Sequence, residues 1–197
     1  MNIDSTTDSD IIARSRHDSE AFAALFERHA RVVGSFAAQR VGSLIAEDIV
    51  AETFLVAFRR RADYDLDHAN ARPWLLGIAV NIIKRHRGTE ARHWRELHRS
   101  AAVATPIAPN DFDEVDRRAD AARTARELLP RIRRLRAHDR DTLLLYATGE
   151  LSYDEIARAL GVPVGTVRSR LNRVRRILST PPSHPNPVGL TIQGEES

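Results

Sequence analysis

The stretch ELSYDEIARALGVPVGTVRSRLNRVRRIL, Glu150 to Leu178, decides the fold. Ser152 and Glu155 stand at the S-x-x-E spacing of a capping box, in which hydroxyl and carboxylate satisfy each other's backbone N–H groups, and Leu151 and Ile156 flank it as a hydrophobic staple. A helix therefore starts at Tyr153 and ends after about two turns at Gly161, a residue suited to a left-handed cap. Beyond the turn Gly161, Val162 and Pro163, the residues Val167, Leu171, Val174 and Leu178 fall at i, i+4, i+7 and i+11 and share one face of a second helix, Val164 to Leu178. Its other faces carry Arg168, Arg170, Arg173, Arg175 and Arg176 with no acid. A short capped helix, a tight turn and a longer basic helix make a helix-turn-helix, whose second helix enters the DNA major groove. The arginines neutralise phosphates, while Ser169 and Asn172 offer polar contacts near base edges.

Upstream of this motif a helix covers roughly Arg140 to Thr148 and stops at Gly149, preceded by a helical pattern from Arg117 to Leu135 with a kink at Pro130. Ala101 to Asp116 holds no Lys or Arg but has Pro106, Pro109, Asp111, Asp113, Glu114 and Asp116, a composition that builds no core and reads as an interdomain linker. On its N-terminal side helical spacing returns. Phe22, Leu25, Phe26, Val32, Val33 and Phe36 mark a helix from Asp18 to Arg40, with Asp18 or Ser19 as its cap. Val50, Phe54, Ala57 and Phe58 mark another, Ala46 to Arg61. Asp63 to Arg72 reads as a loop. Pro73 then sits in the first turn of a helix whose apolar face is Leu75, Ile78, Ala79, Ile82 and Ile83, followed by a basic extension to about Arg99. Nothing alternates at period two for long enough to propose a sheet.

The expected architecture is all-α: two small helical domains, 18–99 and 117–180, joined by a flexible linker at 100–116. An N-terminal extension, 1–17, and a disordered Pro-rich tail, 181–197, flank them. The 197 residues are 42% hydrophobic and 29% charged with nine Gly and nine Pro, which excludes collagen-like and wholly disordered chains. No cysteine is present, so disulfides, thiol catalysis and cysteine-ligated zinc are excluded. The polar start has no signal-peptide core, and Trp74 to Ile83 is too short to span a bilayer, so a cytoplasmic location is expected. Lys84 is the only lysine. His86, His93 and His98 do not share a helical face, which argues against a metal site, and no G-x-x-x-x-G-K loop cradles a nucleotide. No cofactor and no small-molecule substrate are expected.

Asp48 and Glu52 are like charges at i, i+4, a mildly destabilising pair whose ordinary reading is a solvated face. Asn81, Lys84, Arg85 and Arg87 form a polar stripe that suits nucleic acid, with Tyr64 and Trp74 as rings able to flank an unpaired base. Three blocks, AEDIVAETFLVAFRR (Ala46 to Arg60), RPWLLGIAVNIIKRHR (Arg72 to Arg87) and the helix-turn-helix stretch, resemble extracytoplasmic function sigma factors in sequence, order and separation.

The resemblance implies a bacterial transcription initiation factor: an N-terminal domain for polymerase docking and the minus-10 promoter element, a linker, and a C-terminal domain for the minus-35 element. It would assign Asp48 and Glu52 to the coiled coil of the polymerase beta-prime subunit. It places Asn81 on the minus-10 helix with Tyr64, Trp74, Lys84 and Arg85 about it, and the loop Asp63 to Arg72 where a flipped base is captured. Capture of an extruded base would help nucleate melting without ATP. Arg168, Ser169, Asn172 and Arg173 would face the minus-35 groove, with Thr166 near the backbone. The family often has an acid near Lys84 and a compact aromatic-rich loop before Pro73, and this chain departs from it in Lys84 and in the polar loop DLDHANA. The family also implies an anti-sigma factor as partner, often membrane-anchored. The competing readings are a stand-alone helix-turn-helix regulator, which would leave Asp48 and Glu52 without a partner, and a recombinase, whose α/β catalytic domain the N-terminal half does not resemble.

Overall fold

In the computed structural model the described residues are 6–100, of which 90–100 by backbone course alone, together with 128, 130–132 and 134–179. The linker, the tail and most of the predicted helix from Arg117 lie outside them. Among the described residues every regular element is helical: α1 (Asp8–Ser15), α2 (Ala23–Val41), α3 (Ser43–Arg59), α4 (Arg72–Ser100), α5 (Ala137–Ala147), α6 (Tyr153–Leu160) and α7 (Val164–Ser179), with short 3-10 turns at Ser19–Phe22 and Arg61–Asp63.

The strongest local signals act as read. Ser152 Oγ accepts from the Glu155 amide at 3.3 Å and Glu155 Oε2 accepts from the Ser152 amide at 2.8 Å, so α6 begins at Tyr153. Gly161, at φ 63°, closes it: its N–H donates to Arg158 O and that of Val162 to Ala157 O, the paired bonds of a Schellman cap. Leu151 and Ile156 are buried on either side of the box. Boundaries shift elsewhere. Asp18 does cap, accepting from the Glu20 amide at 3.2 Å, but it caps the 3-10 turn rather than α2. The helix expected from Ala46 starts at Ser43, directly after Gly42, whose φ of 85° is what turns the chain from α2 into α3.

One larger correction concerns the segment read as an N-terminal extension. Residues 8–15 form a helix with its own capping box, Thr7 Oγ1 accepting from the Asp10 amide and the Asp10 carboxylate from the Thr7 amide. Ile11 and Ile12 are 1% and 0% exposed, so this helix belongs to the core. Burial of two isoleucines stabilises it by roughly 3–6 kcal/mol, enough to hold two turns that would not persist alone.

α2 and α3 pack as an antiparallel pair with α4 across them, and α5, α6 and α7 form the helix-turn-helix unit. Phe22 and Phe58, and Phe26 and Phe54, meet edge to face at 5.3 and 4.8 Å between ring centres, knitting α2 to α3. The two halves share one core, because α6 lies against α4. Gly77 makes that approach possible: a methyl group there would stand 2.6 Å from the Ala159 carbonyl oxygen. Arg40 Nε donates to Asp141 Oδ1 at 2.7 Å in the same interface, both side chains almost wholly buried, and Thr148 Oγ1 donates to Gln39.

Candidate nucleic-acid and polymerase interfaces

α7 turns Val167, Leu171 and Val174 into the core and leaves Arg168, Ser169, Asn172, Arg175 and Arg176 exposed, with Thr166 half-buried. This is the division that the i, i+4, i+7 spacing dictates. The exposed side chains are not equally available. Among the described residues Arg168 has no hydrogen-bonding or charged partner, whereas Arg175 donates to Asn172 Oδ1 at 2.9 Å and to the Tyr153 hydroxyl at 2.8 Å. Ser169 Oγ donates back to Thr166 O within its own helix. Arg173 is held most firmly: its Nη1 lies 3.1 Å from both carboxylate oxygens of Asp139, a buried acid in the first turn of α5.

α4 arranges the second set. Trp74, Asn81 and Arg85 fall at i, i+7 and i+11 and so share a stripe, with Lys84 beside it, and Asn81, Lys84 and Arg85 are exposed. Trp74 is half-buried, its ring 4.9 Å from that of Tyr64. Tyr64 is 6% exposed and therefore a wall rather than a free platform. Its hydroxyl donates to the His68 carbonyl at 2.6 Å, and burial, helped by the Asp8 charge, pushes its pKa up to about 12. Next to these rings opens a cavity of about 290 Å³, lined by loop residues Asp63, Asp65, His68 and Asn70, by Pro73 and by the two aromatics. Arg60 also lines it, and Arg158 and Ala159 of α6 complete its wall. Sequence reasoning missed both, because no local pattern announces a contact between elements so far apart in the chain.

The acidic pair sits on the outer face of α3, where Asp48 is exposed. Glu52 does not stand free: it forms an ion pair with Arg85 of α4, joining a residue expected at polymerase to one expected at DNA. Leu44 and Leu55 project from the same helix, 92% and 48% exposed, and a shallow groove of about 280 Å³ runs beside them between Phe26, Gly34, Ala46, Glu47, Val50 and Ala51. Among the described residues no group of three or more His, Cys, Asp or Glu side chains is placed to hold a metal. His93 and His98 fall where only backbone is described. No helix of the described residues is long and apolar enough to cross a membrane.

Residues 25–93 match the Sigma-70 region 2 family and residues 125–178 the Sigma-70 region 4 family. The chain is 32% identical over 160 residues to RNA polymerase sigma factor CarQ of Myxococcus xanthus, covering 78% of this chain and 84% of that protein. It is 36% identical over 138 residues to the ECF RNA polymerase sigma factor SigC of Mycobacterium tuberculosis, 70% of this chain and 69% of that one. Its fold is similar to that of CnrH solved with the cytosolic domain of CnrY, with a TM-score of 0.60 and 26% identity over 87% of this chain and 94% of CnrH. It is also similar to that of the sigma factor RpoE solved with the anti-sigma factor NepR from Bartonella quintana, with a TM-score of 0.61 and 21% identity over 80% and 93% of the two chains. The chain belongs to the extracytoplasmic function sigma factors, which direct bacterial RNA polymerase to specific promoters.

Proposed function

We propose that this sigma factor divides its work among three surfaces. The outer face of α3, with Asp48 and Glu52, docks on the beta-prime coiled coil of core RNA polymerase. The stripe of Asn81, Lys84 and Arg85 on α4, with Tyr64 and Trp74 walling the loop cavity, engages the minus-10 element and holds a flipped base. Thr166, Arg168, Ser169, Asn172 and Arg173 on α7 engage the minus-35 groove. Residues 18–99, with α1 added, make the minus-10 and docking unit, 117–180 the minus-35 unit, and 100–116 the tether. The protein works in the cytoplasm as a non-enzymatic initiation factor, and an anti-sigma factor restrains it, as CnrY and NepR are bound to the sigma factors that resemble it.

The observation that carries this reading is the outer face of α3. It combines an acid with no partner among the described residues, Asp48, with Leu44 at 92% exposure and an apolar groove, a surface that attracts a basic protein helix and repels DNA. A stand-alone regulator has no use for it. Reversing the charges with Asp48→Arg and Glu52→Arg is expected to abolish binding to core polymerase while leaving helicity unchanged by circular dichroism. Holoenzyme assembly at the wild-type level with that variant would refute the docking assignment.

A further inference from the structure

The cavity loop is gripped from behind by α1. Asp8 is 6% exposed, and its carboxylate gathers three donors: Oδ2 accepts from His29 Nε2 at 2.7 Å and from the Ala71 amide at 2.9 Å, and Oδ1 accepts from Arg28 Nη1 at 3.2 Å. The Asp8 amide donates in turn to the Ala69 carbonyl at 3.0 Å. At the other end of α1, Arg16 Nη2 donates to the Tyr64 carbonyl at 3.0 Å, and Ser15 O accepts from Arg61 Nε at 3.1 Å. Both ends of the segment 64–71 are therefore tied to one helix.

Besides the Leu75 amide, which donates to the Ala71 carbonyl at 3.0 Å as α4 begins, and the contact of the Tyr64 and Trp74 rings, the loop's bonds are of two kinds. Tyr64 with His68, Asp67 with Asp65 and Arg72 with Asn70 are local and do not fix the loop on the helices around it. Asn70 with Glu155 and Arg72 with Gly149 and Glu150 reach the helix-turn-helix half. Those contacts are lost whenever that half leaves to meet the minus-35 element. The α1 bonds then keep the loop ordered, and a cavity ordered before it meets a base spares binding the entropy of ordering it.

We propose that α1 is part of the promoter-melting site, with Asp8 and Arg16 as positioning residues that hold the 64–71 loop in its base-accepting shape. The inference rests on the reading of the loop cavity as the seat of the flipped base. Its test is the affinity of holoenzyme for a fork-junction DNA, duplex upstream and single-stranded across the minus-10 region of a promoter from which it initiates. The variants are Asp8→Ala, Asp8→Asn, Arg16→Ala and, for the cavity itself, Trp74→Ala.

Asp8→Ala and Arg16→Ala are each expected to weaken fork binding about tenfold and to speed hydrogen exchange of the Ala71 amide. Affinity for core polymerase and for minus-35 duplex should not change. Asp8→Asn, which keeps an oxygen for the Ala71 amide, is expected to recover part of the affinity. Arg16 is exposed, so Arg16→Ala carries the test alone if Asp8→Ala fails to fold. Wild-type fork binding by Arg16→Ala, with Trp74→Ala defective, overturns the role of α1 and leaves the cavity reading in place. Wild-type binding by Trp74→Ala as well overturns both.

Discussion

At the scale of single residues, Arg173 joins two demands. Asp139 is 1% exposed, and the Arg173 guanidinium that meets both its oxygens supplies the charge that a buried carboxylate requires. Arg173→Ala is expected to cost about 1–3 kcal/mol of stability in denaturant unfolding, because Asp139 is left short of a donor, and to weaken minus-35 binding besides. Arg168→Ala, with no partner among the described residues to lose, is expected to leave stability within about 0.5 kcal/mol of wild type while weakening the same DNA complex. Tyr64 gives a pH signature. Its folded pKa of about 12 lies above the ordinary tyrosine value of 10.0, so it binds a proton in the native state that the unfolded chain has released. Its contribution to stability is complete below pH 10 and disappears as the pH rises toward 12. Phenolate absorbance is expected to show a late step that Tyr64→Phe removes, and a Tyr64→Phe titration identical to wild type would contradict the burial.

At the scale of elements, what was legible in the sequence is what local chemistry specifies. The capping box at Ser152, the staple of Leu151 and Ile156 and the left-handed Gly161 act within a few residues, and α6 begins and ends where they say. Ser152→Ala is expected to cost about 1 kcal/mol by thermal or denaturant unfolding, and Gly161→Ala a similar amount through its positive φ. α1 was illegible for the converse reason. Its Asp, Ser and Arg content reads as solvated, and only the burial of Ile11 and Ile12 against distant helices makes it an element. The candidate site divides the same way. The exposed face of α7 and the stripe on α4 follow from helical period, whereas the pairing of Arg85 with Glu52, of Arg173 with Asp139 and the burial of Tyr64 depend on neighbours that sequence spacing does not reveal.

At the scale of the whole molecule, the two halves are packed together, whereas the proposed function has them reach two DNA elements at once. α6 rests on α4 through Gly77, Arg40 and Asp141 are sealed between the halves at a sequence separation of 101, and Arg158 lies at the cavity beside Trp74. On the proposed division of work, a base entering that cavity and a helix-turn-helix bound upstream are expected to need α6 to leave. Because the chain contains no cysteine, Gln39→Cys with Thr148→Cys allows a clean thiol cross-link across a 3.2 Å side-chain contact. Cross-linked protein is expected to lose promoter-dependent transcription and to regain it when a cleavable linker is cut. Full activity while cross-linked would show that the packed arrangement is the working one.

The measurement that tests the central claim most directly is in vitro transcription by core RNA polymerase on genomic promoter fragments, with and without this protein and with the Asp48→Arg, Glu52→Arg variant. Specific start sites are expected only when the wild-type protein is present. Start sites independent of the protein, or unaffected by the charge reversal, would contradict the account, and tight duplex binding by the protein alone would then point to a stand-alone regulator.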